Sequence, residues 1–193
     1  MSPAATMTID DAGRAVLDAA DALFYARGIA GVSMSDIRDT SGVSLRRLYQ
    51  LYPSKSDLVS GWLNDRHVRW MTWFSTAVDR HTAGGTDALI ATFDAIDEWV
   101  STPGYRGCAF LNSIAETTEI DESHRTIVAD HKRSLIQHLT MLAVRDHPTA
   151  PMWVPAAIAV LIDGAIVQTA VFETNEPIIA ARAAATHLME NMS

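Results

Sequence analysis

Ser44-Leu45-Arg46-Arg47-Leu48-Tyr49-Gln50-Leu51-Tyr52, preceded by Gly42-Val43 and followed by Pro53-Ser54-Lys55, is the stretch on which the reading of this chain turns. It holds two adjacent arginines, two tyrosines and a glutamine, and no acid. A helix of this length needs only a narrow apolar stripe to pack, and Leu48 with Leu51 supplies one. The remaining side chains are those that bond phosphates and base edges. The segment therefore reads as a recognition helix for duplex DNA.

Its flanks support that reading. Ser33 and Asp36 have capping-box spacing and open a short helix over 34–40. Ser41-Gly42-Val43 makes a tight turn, and Ser44 is placed to cap the next helix. Helix, glycine-containing turn and helix is the helix-turn-helix arrangement, in which the first helix braces the second across the backbone. Arg46 and Arg47 suit phosphate, or guanine in a bidentate manner, and Gln50 suits adenine. Each good bidentate pair contributes roughly 1–3 kcal/mol of discrimination. Tyr49 offers a hydroxyl to phosphate. Lys55, at the start of a fourth helix, can share a phosphate with the free N–H groups there. Ser33, Ser44 and Tyr52 complete the expected DNA-facing set.

A net charge of −8 over 193 residues opposes DNA binding only as an average. Residues 1–80 carry nine Lys/Arg against nine Asp/Glu, whereas residues 81–193 carry six against fourteen. Phosphate contact is local, so a basic patch on a neutral head fits a small DNA reader with a separate acidic body. Hydrophobic residues make up 48% of the chain, enough for a sizeable core and too many for disorder. The single cysteine, Cys108, excludes an intrachain disulfide framework and a multi-cysteine zinc site. Residues 1–13 lack the apolar core of a signal peptide. The longest apolar run, Pro155 to Phe172, carries Asp163 at its centre, and that acid costs roughly 2.5–3.5 kcal/mol to place in a bilayer. The run is expected to be a buried helix of a cytoplasmic protein with no membrane association.

Strand signals are scarce and helical spacing dominates, which predicts an all-α fold of about nine helices. A helix-turn-helix domain is expected over residues 1–56 and a larger ligand-binding and dimerisation bundle over 57–193. Helix one, from about Ile9 to Arg27, is expected to bury Val16, Leu17, Ala20, Leu23 and Phe24. Ser54 and Asp57 open a long fourth helix that reaches about Arg80, and a sixth is expected over Cys108 to Thr117.

With these residues in view, Ala19 to Leu58 resembles the DNA-binding domain of the TetR family of bacterial repressors. The matching residues are Ala20, Phe24, Gly28, Ser33, Ile37, Gly42-Val43-Ser44, Leu48-Tyr49, Tyr52, Ser54-Lys55 and Leu58. Arg46-Arg47 stand where that family commonly has a small pair, so no contacts are implied there. Contacts at Ser44, Tyr49 and Lys55 are implied, the last two to the DNA backbone. The resemblance further implies a homodimer on a pseudo-palindromic operator, a ligand pocket in the C-terminal bundle, and release from DNA when ligand binds.

The body offers its own support for the first two implications. The eighth helix is apolar nearly all round, and Ile158, Leu161, Ile162, Ala165, Ile166 and Ala170 are its expected dimer interface, with Gly164 permitting close approach. Candidate ligand residues for a small apolar effector are Trp70, Phe74, Trp99, Phe110, Asn112, Glu116, His131 and Gln168. Gly107 to Asn112, with Glu116, resembles a motif in some ligand domains of the family. His124, His131 and His138 recur every seven residues, and neighbours about 10.5 Å apart do not share a metal, so none is expected. Cys108 reads as a small buried hydrophobe, since no electropositive setting is visible around it. With no phosphate loop, metal-spaced pair or nucleophile motif, neither an enzyme nor a cofactor is expected. The competing reading is a DNA-binding protein of this fold that recruits a protein partner and answers to no small molecule.

Overall fold

A computed structural model of the chain describes residues 8–116 and 122–191. These residues form nine helices and no strand: α1 Ile9–Arg27, α2 Met34–Ser41, α3 Leu45–Leu51, α4 Lys55–Thr82, α5 Ala88–Val100, α6 Ala109–Glu116, α7 Glu122–Asp146, α8 Val154–Phe172 and α9 Glu176–Glu190. The fold is all-α, as the spacing predicts. Thr117, the expected end of the sixth helix, lies outside the described residues.

The chain divides into two compact units. One holds the described residues of Met1–Arg66 together with those of Asn112–Ile127, and the other those of His67–Leu111 and Val128–Ser193. The boundary between these units falls inside α4, α6 and α7.

In the first unit, Thr8 and Asp11 form a full capping box that starts α1. The helix buries Ala12, Val16, Ala19, Ala20 and Phe24. Leu17 and Leu23, expected inside, sit half-buried at the edge of the stripe. Phe24 meets Trp62 of α4 edge-on at 5.2 Å. Trp62 Nε1 donates to Asp21 at 2.7 Å, and Asp21 also pairs with Arg66. Ile37 of α2, Leu48 of α3 and Leu58 and Leu63 of α4 are fully buried. Each contributes about 1.5–3 kcal/mol by leaving water, so these few side chains hold the small head together.

The core of the second unit is built from Leu89, Phe93 and Ile96 of α5, Leu135 and Leu139 of α7, and Ile158 and Ile162 of α8. α5 packs on α8 and α9, and α8 packs along α9. α8 is the one helix among the described residues long and apolar enough to cross a membrane. Its inner face is covered by its neighbours within the unit, and its Asp163 pairs with Lys132 of α7 at 2.6 Å. Its other face is open, with Val160, Val167 and Val171 exposed.

Candidate nucleic-acid interface and effector region

The geometry of the head starts at its caps. Ser33 accepts from the backbone N–H of Asp36, whose carboxylate accepts in turn from the Ser33 backbone. Hydrogen bonds from the hydroxyl and backbone of Ser33 hold the Asp36 carboxyl below the usual carboxylate range. α2 ends at Gly42 in the left-handed region, φ 69°, where a side chain is strained. Ser44 then accepts from the backbone N–H of Arg47 and starts α3. Ser54 and Asp57 form the matching exchange at the start of α4.

α3 is seven residues long, so its faces follow directly from about 100° per residue. Leu48 is fully buried, with Leu45 and Leu51 half-buried on either side of it. Arg46, Tyr49 and Gln50 share the opposite arc and are exposed. Arg47 lies on the shoulder, half-buried. Arg46 and Gln50 stand at i, i+4 and therefore side by side. Tyr52 caps the end of α3 and turns inward, its ring lying where a side chain on Gly61 would be, 2.7 Å from an added Cβ. Burial pushes its phenol above the ordinary value. Lys55 is half-buried at the start of α4, and burial lowers its ammonium pKa while the charge of Asp36 opposes the shift.

The other arginines of residues 8–66 meet acids. Arg14 pairs with Asp18 and Asp65, Arg27 with Asp36, Arg38 with Asp39 and Arg66 with Asp21. Arg46 and Arg47 form no ion pair among the described residues, and Lys55 senses the charge of Asp36 without pairing with it. The uncompensated positive charge of the head is thus concentrated on α3 and the start of α4, where two guanidinium groups, an amide and a phenol can meet phosphates and base edges.

In the second unit, five of the eight expected ligand residues come together. Trp70 stacks on Phe74 at 4.9 Å and meets Trp99 edge-on at 5.7 Å. Phe110 stacks on His131 at 3.7 Å, and Trp70 meets His131 edge-on at 5.3 Å. His67 Nδ1 lies 3.0 Å from His131 Nδ1, so one ring donates and the other accepts. His138 borders Phe74, and burial pushes its pKa down. Trp70 Nε1 and His138 Nε2 are buried with no hydrogen-bond partner, an unfavourable arrangement for buried polar atoms. Nearby in this unit an open cleft of about 830 Å³ is lined by Ser101, Thr102, Tyr105, Arg106, Thr169 and Glu173, among others. Its lining comes from two segments far apart in the chain, residues 100–106 and 169–175, and gave no signal in the sequence.

The other expected residues lie elsewhere. Gln168 is exposed on α8, and Asn112 and Glu116 belong to the first unit. Glu116 Oε2 accepts from the backbone N–H of Ile29 at 2.5 Å. Ile158, Ile162, Ala165 and Ile166 are buried within the chain itself, Leu161 is half-buried and Ala170 is exposed. Cys108 is buried, as expected, but the ammonium of Lys132 stands 3.8 Å from its Sγ, a cation the sequence did not place there. Among the described residues, no three His, Cys, Asp or Glu side chains group as metal ligands. His124 instead bonds Ser113 at 2.9 Å.

Residues 16–61 match the family model of bacterial regulatory proteins, tetR family. No curated protein matches the chain. Among solved structures, a TetR-family transcriptional regulator from Streptomyces coelicolor is similar over 97% of this chain and 92% of its own, with 23% identity and a TM-score of 0.81. A TetR transcriptional regulator from Chloroflexus aurantiacus is similar over 95% and 96%, with 21% identity and a TM-score of 0.79. The reduced form of NemR from E. coli is similar over 92% and 97%, with 19% identity and a TM-score of 0.79. These likenesses establish a shared fold across nearly the whole chain, and the family match lies on the helix-turn-helix described above.

Proposed function

We propose, for a chain that belongs to the TetR family of bacterial DNA-binding transcriptional regulators, that it acts as a cytoplasmic homodimeric repressor released from its operator by a small apolar effector. The observation that carries the DNA half of this reading is the exposed arc of α3, with Arg46, Tyr49 and Gln50 outward and no ion pair at Arg46 or Arg47 among the described residues. Ser44 and Lys55 flank it, and Ser33 and Tyr52 support it from α2 and the end of α3.

The open face of α8 supports the homodimer. Val160, Gly164, Val167 and Val171 recur at i, i+4, i+7 and i+11, one stripe of a helix whose other side is already covered. Ile179 of α9 is exposed as well. Apolar surface of this kind is stable in water when a second copy covers it, and the two recognition helices then address successive turns of one groove. The effector reading rests on the Trp70, Phe74, Trp99, Phe110 and His131 cluster and its two unpartnered polar atoms. An aromatic ligand carrying one acceptor for Trp70 Nε1 and one group for His138 Nε2 suits it.

The test starts from a duplex selected by the purified protein out of a random-sequence library. Fluorescence anisotropy should give a tight complex whose affinity falls steeply with salt. No selectable duplex at low salt would sink the DNA reading. Indole, naphthol and benzoate serve as effector probes. At least one should weaken the wild-type complex and leave a Trp70→Ala complex untouched, and no response to any of them removes the apolar-effector reading while leaving the DNA reading in place.

A further inference from the structure

The family match ends at residue 61, yet the compact unit that contains the helix-turn-helix also takes in the described part of Asn112–Ile127. A hydrogen bond joins the two stretches. α1 ends at Gly28 with φ 77°, and the chain turns through Ile29 to Val32 before Ser33 opens α2. Ile29 and Val32 are both buried. The backbone N–H of Ile29 has left α1 and is not used by α2. It donates to Glu116 Oε2, 87 positions further along the chain.

The fit is close on the other side of the turn too. A Cβ built on Gly28 would lie 2.7 Å from Glu116 Oε2, 3.1 Å from its Cδ and 3.2 Å from Oε1. The carboxylate therefore occupies the space that any residue but glycine would need. Glycine at this position meets two demands, the positive φ and the close approach of Glu116. α6 is itself held at this end, because Ser113 is buried and bonded to His124 near the start of α7.

We infer that Glu116 is a positioning residue for DNA reading: it completes the α1–α2 turn from outside the helix-turn-helix and sets the angle at which α2 braces α3. A carboxylate near the C-terminal end of α1 is not favoured by the helix dipole. Its placement there is explained by the Ile29 N–H, a part-buried donor that would otherwise lack a protein partner. Glu116 touches no DNA in this scheme, so its loss should change affinity without changing the number of phosphates contacted.

The inference rests on the DNA reading for one of its two readouts only. In the full-length protein, Glu116→Ala should speed hydrogen exchange of the Ile29 amide on the order of tenfold, the size expected for loss of a charge-assisted bond at a partly exposed site. Amides in the middle of α1 should not change. Affinity for the selected duplex should fall on the order of fivefold to tenfold at an unchanged salt slope. Glu116→Gln, which keeps a carbonyl oxygen at the same reach, should restore most of both. Gly28→Ala should weaken DNA binding as well, and its effect should be less than additive with Glu116→Ala, because both displace the same contact. Unchanged Ile29 exchange in Glu116→Ala overturns the inference even if no duplex is ever selected. A Gln variant that behaves like Ala, or full additivity with Gly28→Ala, also overturns it. An altered salt slope would make Glu116 part of the DNA surface and overturn it equally.

Discussion

Arg46 and Arg47 are adjacent in sequence but not equivalent in space. Arg46 stands on the open arc of α3 beside Gln50, while Arg47 is on the shoulder and partly covered. Replacing both with alanine should lower affinity for the selected duplex by at least about tenfold and reduce the salt slope by about 1 to 2, measured by anisotropy across a salt series. The single Arg46→Ala change should relax base preference more than Arg47→Ala does. Gly42 is a second decisive residue. It has open space around a built Cβ, so its constraint is conformational alone, from φ 69°. Gly42→Ala should cost about 1–2 kcal/mol in thermal or urea unfolding, and Gly42→Asn clearly less. His138 links pH to stability. Burial depresses its pKa in the folded state below the ordinary 6.5, so below about pH 6.5 the unfolded chain binds a proton that the folded chain refuses. Its stabilising share is present above that value and is lost on acidification. The drop in Tm between pH 7.5 and 5.5 should be smaller in His138→Phe than in wild type, and an equal drop would mean that other groups carry the dependence.

At the scale of helices, what could be read from sequence was what is encoded locally. The capping pairs Ser33–Asp36 and Ser54–Asp57 lie three residues apart, and the left-handed Gly42 sits beside the helix it ends, so α2, α3 and the start of α4 were legible. α8 was legible as a helix but not in its orientation. A helix apolar on all sides carries no mark of which side faces inward, and the expected interface residues Ile158, Ile162, Ala165 and Ile166 are on the inner side. Contacts between distant positions were invisible for a different reason. Glu116 meets Ile29, and Lys132 meets Cys108, across separations that no local pattern encodes. The open stripe of α8 supports its own prediction. Val167→Glu, or Val171→Glu, should shift the protein from dimer to monomer in sedimentation velocity at micromolar concentration, with helical content retained. Ile162→Glu, by contrast, should unfold the chain. A Val167→Glu protein that sediments as wild type would place the dimer contact elsewhere.

Taken as a whole, the molecule carries a net charge of −8, and its acids outnumber its bases only beyond residue 80. Within the head, most cations are already held by acids, which leaves the α3 surface as the place where positive charge is not cancelled. This has a kinetic meaning. At physiological ionic strength the field of an exposed charge fades over about 8 Å, so Arg46 and Arg47 attract a duplex only once it is almost in contact. Beyond that distance the fields of the basic patch and of the acids are both screened, and DNA is not drawn in. Random stretches of chromosome should therefore hold this regulator poorly, and it should search by many brief collisions more than by long sliding. Fewer molecules are then sequestered on irrelevant sequence, and a small number of copies per cell can keep one operator occupied.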